Sequence, residues 1–140
     1  KRSYFIEMTL NKEERDTIVT LELEKAKKAY EEAVAIVQLE FWEVVGNRLY
    51  YSLFHAVSDL LIKNGQNVYS HKGAVMQFGQ HFVKTKIVPD DMGKLYSRLQ
   101  TIREKGDYNC VFQISKDEVV PMIEPVGDFL KTIECLISEN

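Results

Sequence analysis

The segment from Gly46 to Gly65, GNRLYYSLFHAVSDLLIKNG, constrains the fold more than any other, because its residue types divide cleanly between two sides of a helix. At about 100° per residue, Leu49, Leu53, Ala56, Val57, Leu60 and Leu61 gather on one broad face, with Tyr50 and Phe54 at its margin. Such a face has to be buried. The opposite stripe carries Arg48, Ser52, His55 and Asp59, aligning a cation, a hydroxyl, an imidazole and a carboxylate. This stripe reads either as a solvated face or as a functional one. Gly65, after Lys63-Asn64, is a stop signal of the expected kind.

The flanking segments supply partners for that apolar face. Asn11-Lys-Glu-Glu14 is a capping box that starts a long helix, along which Val19, Leu23, Ala26, Tyr30, Ala33 and Val37 form a heptad-like seam. Glu22, Glu24, Lys25, Lys27, Lys28, Glu31 and Glu32 read as its solvated exterior. A short turn is expected between Gln38 and Asn47, with Gly46-Asn47 as the visible break.

After a loop at Gln66-Asn-Val-Tyr69, Ser70 is a candidate N-cap for a helix burying Val75, Phe78, Gly79, Phe82 and Val83 and ending near Lys84-Thr-Lys86. His71 and Lys72 fall in its first turn, where free backbone N–H groups can receive an anion; alternatively His71 packs beside the central helix. Pro89-Asp-Asp91 opens a helix with Met92, Leu95, Leu99 and Ile102 as the buried stripe and Tyr96 and Arg103 in register; Gly106 is expected to stop it. Ser115-Lys-Asp-Glu118 is a second capping box, and Val119, Ile123, Val126, Phe129, Leu130, Ile133 and Leu136 face inward along the last helix. Pro121 and Pro125 inside it predict a kink.

No segment alternates with the period of a strand, so the expectation is all-α: one domain over residues 1–140, an up-and-down bundle of about four to five helices, with 1–10 as an irregular leader. No apolar run approaches the ~20 residues that span a bilayer, and the start is too short in apolar residues for a signal peptide, which predicts a cytoplasmic protein without membrane association. Cys110 and Cys135 have no paired spacing and read as reduced thiols.

A net charge of −3 argues against a protein that coats nucleic acid, yet the charge is unevenly placed. Residues 63–116 hold 9 Lys/Arg against 4 Asp/Glu, and the remainder 9 against 17. The basic middle is suited to a localised phosphate site. The sequence contains no Gly-rich phosphate loop, no nucleophile elbow and no Cys/His cluster at metal-ligand spacing, so neither cofactor nor metal is expected. An imidazole beside a guanidinium is what metal-free cleavage of RNA requires: one moves the 2′-hydroxyl proton, the other stabilises charge on the phosphorane. Asp59, one turn past His55, is placed to orient the ring or to make a surface ion pair. Arg103 and Asp107 read as an ion pair at a helix end, with Tyr108 as a capping aromatic or a site residue.

Asn47-Arg-Leu-Tyr-Tyr-Ser-Leu-Phe-His-Ala56, Ser70-His-Lys-Gly73 with Phe78 and Phe82, Leu95-Tyr-Ser-Arg-Leu99 and Arg103-Glu-Lys-Gly-Asp-Tyr108 together resemble the small stand-alone HEPN-domain proteins of bacteria and archaea. The resemblance implies a helical bundle, often a homodimer, paired with a minimal nucleotidyltransferase in a toxin–antitoxin system. It also implies, for many members, a metal-independent endoribonuclease using an arginine and a histidine a short run apart. Arg48 and His55, with six residues between them, meet that spacing. In those ribonucleases the pair commonly lies on a later helix, which here ends in Arg103, Asp107 and Tyr108 without a histidine. Catalysis on Arg48 and His55 is therefore one expectation, with Tyr51, Ser52, Asp59, His71, Lys72, Arg103, Asp107 and Tyr108 supporting or binding. A non-catalytic nucleotide- or partner-binding module is the other. Nucleotidyltransferase partners modify a tyrosine in some such pairs; Tyr108 is the first candidate by position and Tyr51 the second.

Overall fold

The computed structural model describes residues 11–109 and 111–139, so the expected leader at 1–10 and Cys110 lie outside the described residues. Among those residues are five α-helices and no strand: α1 (Lys12–Ile36), α2 (Trp42–Lys63), α3 (His71–Phe78), α4 (Asp90–Tyr108) and α5 (Lys116–Ser138). The all-α bundle is as the periodicity predicts. Among the described residues no helix is long and apolar enough to cross a membrane.

The caps act where the sequence marks them. Asn11 Oδ1 accepts from the Glu14 N–H while Glu14 reaches back to the Asn11 N–H, and Ser115 and Glu118 repeat the arrangement on α5. Ser70 accepts from the Gly73 N–H and starts α3.

The turn into α2 falls inside the expected window of Gln38 to Asn47, though not at its glycine, and the end of α4 differs from expectation. The break before α2 falls at Glu40, whose φ of 58° turns the chain after a short 3-10 stretch (Val37–Leu39), while Gly46 lies inside α2 beneath Ile114 and Val119. Trp42, Val45 and Leu49 continue one inward face through Gly46, so burial outweighs the glycine's weak helix propensity. Likewise α4 runs past Gly106 to Tyr108, which puts Asp107 and Tyr108 on its last turn. Nor do Pro121 and Pro125 interrupt α5: both are exposed, one turn apart, so the missing N–H groups lie on its outer side. α3 continues as a π-helical stretch (Gly79–Val83) that carries Phe82 into the core.

At the centre is α2, with Leu49, Tyr50, Leu53, Phe54, Ala56, Val57, Leu60 and Leu61 all buried. Along α1, the seam is lined by fully buried Ala26, Ala29 and Ala33, small enough to let the two backbones approach. The α5 face packs on the other side through Val119, Val126, Phe129 and Ile133. A close approach explains Gly127: a Cβ there would lie 2.7 Å from the Tyr30 hydroxyl, which donates to the Ile123 carbonyl at 3.0 Å.

Candidate functional site

α1 runs antiparallel to α2 and closes over its polar stripe, meeting it with Glu32, Ala26 and Glu22 in descending order. Arg48 Nη1 lies 3.0 Å from Glu32 Oε1, the Ser52 hydroxyl donates to the Ala26 carbonyl at 2.9 Å, and His55 Nδ1 lies 3.0 Å from Glu22 Oε1. Neither sequence-level reading of the stripe holds for all four residues. Ser52 and Asp59 are fully buried, while Arg48 and His55 sit at the edge of the seam, half-buried. The partner that orients His55 is Glu22, not Asp59.

Asp59 is a buried acid. Both its oxygens lack a hydrogen-bond partner of good geometry, and burial, reinforced by the negative charge of Glu22, pushes its pKa up to about 8 against the opposing pull of Lys63 and the Leu23 backbone. Its proton is held well above the usual carboxylate range.

The edge of α2 next to the stripe faces α3 and α4, and Tyr51 is its hub. The Arg48 guanidinium lies 5.4 Å from the centre of the Tyr51 ring and that of Arg103 5.8 Å, while the His55 and His71 rings are 6.2 and 5.9 Å away. Arg103, from α4, also covers the Tyr50 ring at 5.4 Å and pairs with Asp107 one turn on at 3.5 Å. The Ser70 cap places His71 in the first turn of α3, where its ring packs on Phe54 at 4.4 Å and its Nδ1 hydrogen-bonds the Tyr50 hydroxyl at 2.9 Å. His71 thus sits in the first turn of α3 and packs beside the central helix.

Burial first, then the Arg103 charge and, when it is protonated, that of His55, lower the His71 pKa, with Asp107 opposing. The Tyr50 phenol is raised, chiefly by burial. The result is a cluster of two arginines and two imidazoles around neutral aromatic rings, on three helices. The guanidiniums and imidazoles bring hydrogen-bond donors and proton-transfer groups together, with Glu32 paired to Arg48 and Asp107 to Arg103. A groove of about 320 Å³ lined by Asn47, Arg103, Asp107 and Phe112 borders the Arg103 side.

Of the residues singled out in the sequence, the fold brings together Arg48, Tyr51, His55, His71, Arg103 and Asp107. Lys72 and Tyr108 stay exposed, Tyr108 at 84%. Among the described residues no group of three His, Cys, Asp or Glu is placed to hold a metal ion, and Cys135 is a free, exposed thiol. Sequence reasoning missed Glu22, Glu32 and Tyr50. The two glutamates flank the alanine seam, a carboxylate near either end of a stretch of small buried residues, and that was the available signal.

Residues 19–136 match the model of the HEPN domain, which takes in the stripe, the hub and the last turn of α4. The chain belongs to the HEPN domain family. Among curated relatives, a "UPF0332 protein" of Thermotoga maritima is 32% identical over 90% of this chain and 96% of its own. "Putative toxin MJ0142" of Methanocaldococcus jannaschii is 30% identical over 84% of this chain and 81% of its own, and a "UPF0332 protein" of Archaeoglobus fulgidus 25% identical over 86% and 95%. Two of the relatives, both from Methanocaldococcus jannaschii, carry the name "Putative toxin".

Proposed function

We propose that this HEPN protein is a toxin-like, RNA-interacting protein and a metal-independent endoribonuclease whose chemistry rests on Arg48 and His55. The observation that carries the reading is the shared Tyr51 ring, against which Arg48, Arg103, His55 and His71 all converge. The guanidiniums bind a phosphodiester and stabilise the phosphorane, and His55 moves the 2′-hydroxyl proton. The protein works as a homodimer, held by exposed Leu39, Phe41 and Val44 at the turn into α2.

RNA cleavage by the purified protein in EDTA tests this, beside His55→Ala and Arg48→Ala variants whose folding is checked by circular dichroism. Loss of about 10²–10⁴-fold in rate for His55→Ala is expected. Unchanged cleavage in that variant overturns the assignment, and a monomer by light scattering overturns the dimer.

A second reading has its own observation. Tyr108 is the most exposed large hydrophobic residue described, one position from Asp107 on the last turn of α4. This suits a non-catalytic module that docks, and is modified by, a minimal nucleotidyltransferase, with Tyr51 as the less accessible alternative. A neighbouring reading frame for such an enzyme, and its retention by wild type but not Tyr108→Ala, would support it.

A further inference from the structure

We infer that Glu22 is a positioning residue that fixes the neutral His55 ring with its proton on Nδ1, leaving Nε2 as a proton acceptor. What that acceptor does rests on the cleavage reading; the tautomer rests on geometry. His55 Nδ1 and Glu22 Oε1 are 3.0 Å apart, with side chains only 15% and 13% exposed. A carboxylate has no proton to offer, so the hydrogen between the two atoms belongs to Nδ1.

The carboxylate is itself held. Its second oxygen lies 3.6 Å from Lys25 Nζ, and Glu22 stands one turn before Ala26, whose carbonyl receives the buried Ser52 hydroxyl. That bond pins the register of α1 against α2 one turn from His55. The ring has little freedom either: it lies against Phe54 at 5.4 Å and Tyr51 at 6.2 Å, and a flip would exchange Nδ1 for carbon and lose the glutamate. Burial, reinforced by Glu22, raises the pKa of Asp59 one turn along α2.

The assignment gives the neutral form of His55 one direction of proton transfer. In the cleavage reading the 2′-hydroxyl proton passes to Nε2 and the 2′-oxygen bonds to phosphorus. The bond from phosphorus to the 5′-oxygen breaks, that oxygen taking a proton from water, and Glu22 stabilises the imidazolium until it returns its proton to solvent.

Histidine ¹⁵N NMR of the full chain, at a pH where the His55 ring is neutral, reads the tautomer directly. The wild type should show a protonated Nδ1 on His55, the reverse of the usual preference in water. Glu22→Gln, whose amide oxygen can still accept, should keep it, and Glu22→Ala should move the proton to Nε2. A wild-type ring protonated on Nε2, or a tautomer unmoved in a folded Glu22→Ala variant, overturns the inference. A protonated Nδ1 in a wild type that cleaves no RNA upholds Glu22 and overturns the cleavage reading alone.

Discussion

The Tyr50 hydroxyl and His71 Nδ1 are 2.9 Å apart, joining the middle of α2 to the first turn of α3. Tyr50 is wholly buried and its phenol stays neutral, so the bond persists across the physiological range. Tyr50→Phe keeps the ring and its packing on Tyr51 and Tyr96 and removes only this link. The expected loss is about 1 kcal/mol in urea unfolding, with weaker RNA binding from a less constrained His71.

Asp59 predicts how stability changes with pH. The native protein keeps this proton up to about 8, whereas the unfolded chain releases it near 3.8. Between those values the native state binds more protons, so this group's contribution to stability falls as pH rises and levels off above about 8. The slope is at most roughly 1.4 kcal/mol per pH unit. Asp59→Asn should therefore gain on the wild type as urea unfolding is followed from pH 5 to pH 8. Parallel curves for the two proteins would refute the buried, neutral acid.

Arg103 predicts a salt signature. It lies over two aromatic rings and beside His71, and contributes positive charge to the cluster. Arg103→Ala should weaken binding of single-stranded RNA and reduce the slope of log K against log salt by about 0.7, the share of one phosphate contact. Arg103→Lys should restore the slope but not the affinity, because an ammonium lacks the planar stacking of a guanidinium. A slope unchanged in Arg103→Ala would place the phosphate elsewhere.

The alanine seam predicts coupling between core and site. Ala26 is fully buried and its carbonyl receives Ser52, so Ala26→Leu must push α1 off α2. The overpacking should cost about 1–3 kcal/mol in thermal or urea unfolding. The same displacement should separate Glu22 from His55, visible as a change in the His55 imidazole signals of the folded variant.

Much of this fold is local in origin, and to that extent it was legible in the sequence. The two capping boxes, the Ser70 cap, the stop at Gly65 and the inward faces of α2 and α5 depend on residues within a turn or two of one another. Periodicity and capping chemistry therefore marked them directly. The turn at Glu40 lies within the window that the sequence marked, without a glycine to pin it, whereas α4 runs through Gly106, where the sequence placed its stop. The polar stripe shows the limit most clearly. Its alignment on one face of α2 follows from spacing alone, whereas its fate was set by α1. Three buried alanines let that helix come close enough to enclose Ser52 and Asp59, to bring Glu32 to Arg48 and Glu22 to His55, and to leave the Tyr51 edge for α3 and α4. Which charges meet between helices depends on interhelical register and distance, and those are settled only when the apolar faces pack.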